Sequence, residues 1–142
     1  MVTASRDPRR GLGRLGERLA AEHLEARGLV VIDRNFRTRL GEIDLVARDK
    51  RFLVFCEVKT RLVRGSRGAG AEPGPLAPLG PLGPLAAVGP RKRRQVRTMA
   101  RAWLTATSRD GPSPPEIRFD AIGICLDQEG RIVELEHVEG AF

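Results

Sequence analysis

The chain has 142 residues, 41% of them hydrophobic, with two cysteines, one tryptophan and no tyrosine. That length and composition exclude a disordered chain and imply one domain with a modest core. A formal charge of +7 and a sequence pI of about 10.8 favour polyanionic partners, nucleic acid ahead of acidic membrane surface, although the same charge could serve solubility alone.

Several classes fall away early. Cys56 and Cys125 sit in apolar runs with no Cys-x-x-Cys, and His23 and His137 lack partners at metal-ligand spacing. A zinc site, a disulfide framework and a histidine-based nuclease are therefore not expected. The N-terminus carries charge but no apolar secretory core, and no apolar run is long enough to cross a bilayer. A cytoplasmic protein without a membrane partner is expected.

Met1 to Arg10 reads as a polar, mobile start. Leu12, Leu15, Leu19 and Leu24 then recur near helical spacing, so a helix is expected from Gly11 to about Arg27, with Gly28 as its stop. Glu17 lies in this helix between small Gly16 and Ala20, where another element could approach closely. On residue type alone it reads as a solvated glutamate paired with an arginine. Leu29 to Phe36 reads as a first strand. Arg37 and Arg39 follow it and could meet phosphate.

Two stretches, Gly41 to Ala47 and Phe52 to Lys59, flank the charged break Arg48-Asp49-Lys50-Arg51 and read as a β-hairpin. Alternation places Glu42 and Asp44 on one face of the first strand, with Ile43 and Leu45 on the other. In the second strand Phe55, Glu57 and Lys59 share a face. A turn near Lys50 and Arg51 brings Asp44 close to Glu57. Two carboxylates about 4 Å apart repel by about 4 kcal/mol at an effective dielectric of 20, which a divalent cation would offset. Carboxylates, a metal and a lysine suit phosphodiester hydrolysis. The bland alternative is a surface hairpin whose charges pair across its strands.

After Thr60 and Arg61, Val63 to Gly89 breaks the composition. Its Pro-Leu near-repeat at 75–85 excludes a helix or a central strand, so a flexible insert is expected at about 64–89. Pro90 opens a second helix, extending to Thr107, with an apolar stripe of Val96, Met99, Ala100, Trp103 and Leu104. Arg91, Lys92, Arg93, Arg94, Arg97 and Arg101 crowd the remainder with no acid among them, as a phosphate-tracking face requires. A linker follows at 108–115. Ile117 to Leu126 and Arg131 to about His137 read as closing strands, with Asp120 a structural partner for an arginine.

Gly41-Glu42-Ile43-Asp44 followed by Glu57-Val58-Lys59-Thr60-Arg61 resembles the Asp…Glu-x-Lys core of restriction-endonuclease-like nucleases. More closely, the chain resembles the YraN-like family of small bacterial proteins. That likeness extends to Gly13-x-x-Gly16-Glu17-x-x-Ala20, Arg34-Asn35-Phe36-Arg37, Pro90-Arg91-Lys92, Arg118-Phe119-Asp120 and His137 to Phe142. It implies an α/β, restriction-endonuclease-like fold: a single domain over residues 1–142, with a central mixed sheet, a leading helix and a basic helix in the order α-β-β-β-α-β-β. It also matches Glu17 to a helix-borne glutamate of related nucleases, notably archaeal Holliday-junction resolvases.

The expected function is that of a metal-dependent endonuclease, with DNA favoured over RNA because few aromatics are present for base stacking. Branched or junction DNA falls within its expected scope. Asp44 and Glu57 would hold Mg²⁺ or Mn²⁺ with the Val58 carbonyl, Lys59 would position the attacking water, and Glu17 would add a third acid. Arg91, Lys92, Arg94, Arg97, Arg101, Arg37, Arg39 and Arg61 would contact nucleic acid. A two-fold substrate would suit a homodimer. The alternative is a non-catalytic nucleic-acid-binding module on the same fold.

Overall fold

A computed structural model describes residues 8–63, 90–107 and 116–142. The expected mobile start (apart from residues 8–10), the Pro/Leu/Gly insert and the linker at 108–115 lie outside the described residues. The elements run α1 (Pro8–Ala26), β1 (Val30–Thr38), β2 (Gly41–Arg48), β3 (Phe52–Leu62), α2 (Pro90–Ala106), β4 (Glu116–Leu126) and β5 (Ile132–Val138). This is the α-β-β-β-α-β-β order expected for an α/β fold. No helix among the described residues is long and apolar enough to cross a membrane.

The five strands form one mixed sheet in the order β1-β2-β3-β4-β5. The tight turns after β1 and β2, and the Gly130 turn before β5, make those neighbours antiparallel. β3 and β4 are parallel, paired from Phe52↔Glu116 to Leu62↔Leu126. A parallel pair needs a long crossover, and the connection through α2 supplies it.

Apolar residues cover both faces, as a central strand demands. One core cluster joins Ala20, Ala21 and Leu24 of α1 to Leu45, Val54, Cys56, Ile122, Ile124 and Leu126. The other joins Val96, Met99, Ala100 and Trp103 of α2 to Ile43, Val46, Leu53, Phe55 and Ala121. The helices therefore sandwich the sheet. Trp103 meets Phe55 edge-on at 5.5 Å between ring centroids, and its indole nitrogen donates to Asp33 Oδ2 at 2.7 Å.

Asp120 ties the ends of the chain together. It is fully buried in β4 and accepts two bonds from Arg118 at 2.9 Å and one from the Gly140 amide at 3.1 Å. His137 Nε2 lies 2.8 Å from Asp120 Oδ2, and His137 Nδ1 lies 3.0 Å from His23 Nε2 on α1. Burial pushes the Asp120 carboxyl up, but bonds from His137, Arg118 and Gly140 outweigh it and hold the group below its ordinary value. This supports the structural role expected for Asp120.

Gly16 sets how closely α1 approaches the sheet. A Cβ built there would fall inside the side chain of Thr60 on β3, so only glycine allows this packing distance. Gly16→Ala should destabilise the protein by about 1–3 kcal/mol, despite alanine's better helix propensity. In a Thr60→Ala background the penalty should shrink, measured by urea unfolding of the four proteins in the cycle. Equal penalties in both backgrounds would rule out this contact as the cause.

Candidate functional site

The strands of the site depart from regular alternation. Leu45 packs in the α1 cluster, whereas Ile43, two residues earlier, packs in the α2 cluster. The expectation that both share a face is therefore corrected: the alternation breaks at Asp44. The physical cause lies on both sides of that residue. On β1, Asn35 occupies the place opposite Asp44, between the pairs Arg34↔Leu45 and Phe36↔Ile43, and takes a left-handed conformation with φ 55°. On the β3 side, the antiparallel ladder from Arg48↔Leu53 ends at Leu45↔Cys56. Beyond it, Asp44 Oδ2 accepts the Val58 amide at 2.8 Å. A strand N–H lies in the plane of its sheet, so the Asp44 carboxylate occupies that plane and replaces a backbone partner.

The break regroups the acids. Carboxylate oxygens of Glu17, Glu42 and Asp44 lie within 4.8 Å of one another. Glu17 arrives from α1, whose close seat on β3 depends on Gly16. With its amide oriented to satisfy its neighbours, the Asn35 side chain donates to both Glu17 oxygens, at 3.0 and 3.2 Å, and to Glu42 Oε1 at 2.5 Å. Asn35 thus clamps two of the three carboxylates.

Charge in this cluster is poorly balanced. No salt bridge among the described residues reaches Asp44 or Glu17, and Glu42 has only Arg37 at 4.0 Å. Burial above all, opposed by the Val58 bond and helped by Glu17, Glu57 and Glu42, raises the Asp44 carboxyl to about 7. Burial also raises Glu17; the Asn35 bond opposes the rise and Glu42 adds to it.

Other expected site residues are placed differently. Glu57 stays outside the three-carboxylate group and pairs with Lys92 of α2 at 3.2 Å. Lys59 is exposed, two residues further along β3. Val58 enters the site through its amide. On α2, Arg91, Arg94, Arg97 and Arg101 are exposed, while Lys92 is partly buried. Gln95, one turn along from Arg91, donates to the Leu40 carbonyl in the β1–β2 turn. The α2 helix is therefore tied to both sides of the site. Arg39 is exposed in that turn, Arg37 lies exposed on β1, and Arg61 is half-buried on β3.

A model of the uncharacterised protein family UPF0102 matches residues 16–124. The chain belongs to that family. It is similar to a UPF0102 protein of Streptomyces griseus, at 45% identity over 132 residues covering 93% of this chain and 96% of the relative. A UPF0102 protein of Parafrankia is also 45% identical, over 92% of this chain and 95% of its own. One from Pelotomaculum thermopropionicum is 39% identical over 96% and 98%. The matched stretch begins at Gly16 and so takes in Glu17, Asn35, Glu42, Asp44, Glu57, Lys59 and all of α2.

Two of the clustered residues, Glu42 and Asn35, carry no site role in the sequence reading. An asparagine within a strand-like run was the available signal for Asn35, because asparagine tolerates positive φ. Glu42 shows itself only once the alternation breaks.

The raised Asp44 titration has a measurable sign. In an unfolded chain this carboxyl releases its proton near its ordinary value of 3.8, and in the folded protein near 7. The protonated form's stability is fully present below the lower value and is lost as pH rises through 7. In chelator, Asp44→Asn should therefore stabilise the protein at pH 8 by on the order of 2–4 kcal/mol, and hardly at all at pH 4. Urea denaturation at both pH values reads this directly.

Proposed function

We propose that this protein is a divalent-metal-dependent nuclease that hydrolyses phosphodiester bonds of DNA. The observation that carries this reading is the convergence of Glu17, Glu42 and Asp44 within 4.8 Å, with Asp44 held near pH 7 by burial and by its acidic neighbours. An all-carboxylate oxygen donor set suits a hard cation such as Mg²⁺ or Mn²⁺. When bound, that cation supplies Lewis acidity to the phosphate and lowers the pKa of a water.

The chain's own groups divide the remaining tasks. Exposed Arg91, Arg94, Arg97 and Arg101 on α2 bind the backbone through charge, without reading sequence. Arg37, Arg39 and Arg61 extend that surface along the strands. Lys59, beyond Glu57 on the same face of β3, orients the attacking water and stabilises charge on the phosphate. Val58 fixes the orientation of Asp44 through its amide, and Asn35 fixes Glu17 and Glu42. Glu57 supplies a further carboxylate. Branched or junction DNA is the substrate class that the resemblance to resolvases favours, and a homodimer would match its symmetry.

One observation favours a non-catalytic nucleic-acid-binding module instead: one oxygen of Glu57 is already paired with Lys92. A cleavage assay separates the two readings. Labelled linear, flapped and four-way-junction DNA would be mixed with the protein in Mg²⁺, Mn²⁺ or chelator. Cutting should need metal and fall at least about 100-fold in Asp44→Asn and in Lys59→Ala, in line with loss of a positioned catalytic group. Full activity in both variants would reject the mechanism, and binding without cutting would favour the module.

The α2 surface makes a separate prediction. Arg94→Ala and Arg97→Ala should each weaken binding to unrelated DNA sequences by a similar factor. Each should also reduce the slope of log affinity against log salt by about one. Equilibrium binding across a salt series would show it. A change confined to one sequence would argue against a backbone-tracking face.

A further inference from the structure

The Lys92–Glu57 contact is the one salt bridge among the described residues that joins α2 to the strands of the site. Its nitrogen and oxygen lie 3.2 Å apart, with the two side chains 34% and 26% exposed. Such a pair is close enough to hold Glu57 and open enough to be exchanged for another partner. It also stands where two binding surfaces meet. Arg91, Arg93 and Arg94 flank Lys92 on the exposed first turns of α2, and no acid lies in that helix. On the other side, the register of β2 and β3 brings Glu57 to the level of Asp44, one step beyond Leu45↔Cys56.

We propose that Lys92 is a positioning residue that couples nucleic-acid binding to cation binding: it holds Glu57 in the free protein and releases it when a backbone phosphate takes the lysine. This rests on the metal-dependent reading above and adds an order of events to it. A phosphate drawn to the arginines of α2 arrives beside the ammonium of Lys92 and competes with Glu57 for it. Glu57, freed, adds a carboxylate beside Asp44, so the site holds a divalent cation more tightly. By linkage the effect is reciprocal: the cation, by engaging Glu57, frees Lys92 for phosphate. Cation affinity in the free protein is held down by the same pair that a bound substrate opens.

The test is an Mn²⁺ titration of the full chain, following free Mn²⁺ by electron paramagnetic resonance. It would be run with and without saturating duplex DNA carrying phosphorothioate linkages, which keep the charge and resist hydrolysis. Lys92→Met should bind Mn²⁺ roughly two- to fivefold more tightly than wild type without DNA, the range expected for loss of one partly exposed ion pair. DNA should tighten wild-type binding by a similar factor and Lys92→Met little. Lys92→Arg, which keeps the pair, should behave as wild type. An unchanged or weakened Mn²⁺ affinity in Lys92→Met, with binding still abolished by Asp44→Asn, overturns the coupling and leaves the metal site standing. Absence of any Asp44-dependent Mn²⁺ binding in wild type overturns both. Far-ultraviolet circular dichroism of each variant guards against misfolding.

Discussion

Three carboxylates do not gather in a small, partly buried volume unless the backbone holds them there. Here the holding is done by a distortion of two adjacent strands. Asn35 takes a left-handed conformation on β1, and Asp44 turns into the sheet plane to accept the Val58 amide. Once that happens, the strand continues with its faces exchanged. Ile43 can then pack under α2 while Glu42 meets Glu17 from α1. The same hydrogen bond gives the half-buried Asp44 one definite partner, and no buried side-chain nitrogen or oxygen among the described residues lacks one. What stays unbalanced is charge, and the proposed cation would offset that imbalance.

Elsewhere the fold deals with buried charge in the opposite way. Asp120 is wholly buried, yet it is met by a bidentate arginine, a histidine and a backbone amide. Its carboxyl is driven toward ionisation, whereas the Asp44 carboxyl is driven away from it. One acid knits β4, β5, α1 and the tail; the other is left electrostatically unfinished. A structural acid needs its partners built in; under the proposed function, Asp44 would be completed from outside by a cation.

Much of this was legible in the letters. Sequence pattern located both helices and all five strands to within a few residues, because α2 carries its apolar stripe at helical spacing and β3 opens on a continuous apolar run bounded by charged residues. The basic stripe of α2 and the nearness of Asp44 to the end of β3 could be read in the same way. Less accessible was anything that required a break in period. Alternation assigns Glu42 to the wrong side because it assumes a regular strand, and nothing but the identity of Asn35 signals otherwise. Likewise the Lys92–Glu57 pair depends on how α2 docks, a tertiary fact that helical spacing does not contain. The His23–His137–Asp120 chain spans more than a hundred residues of sequence, and the motifs Arg118-Phe119-Asp120 and His137 to Phe142 do not by themselves show that their side chains meet.

The seat of α2 carries one more consequence. Trp103 is the chain's single tryptophan and lies in the seam between α2 and the sheet, against Phe55 and bonded to Asp33. Its intrinsic fluorescence therefore comes from one place only. A blue-shifted emission belongs to the indole enclosed in that seam, and a red shift records water entering it. The protein thus carries its own optical gauge of whether the basic helix is seated, with no label attached.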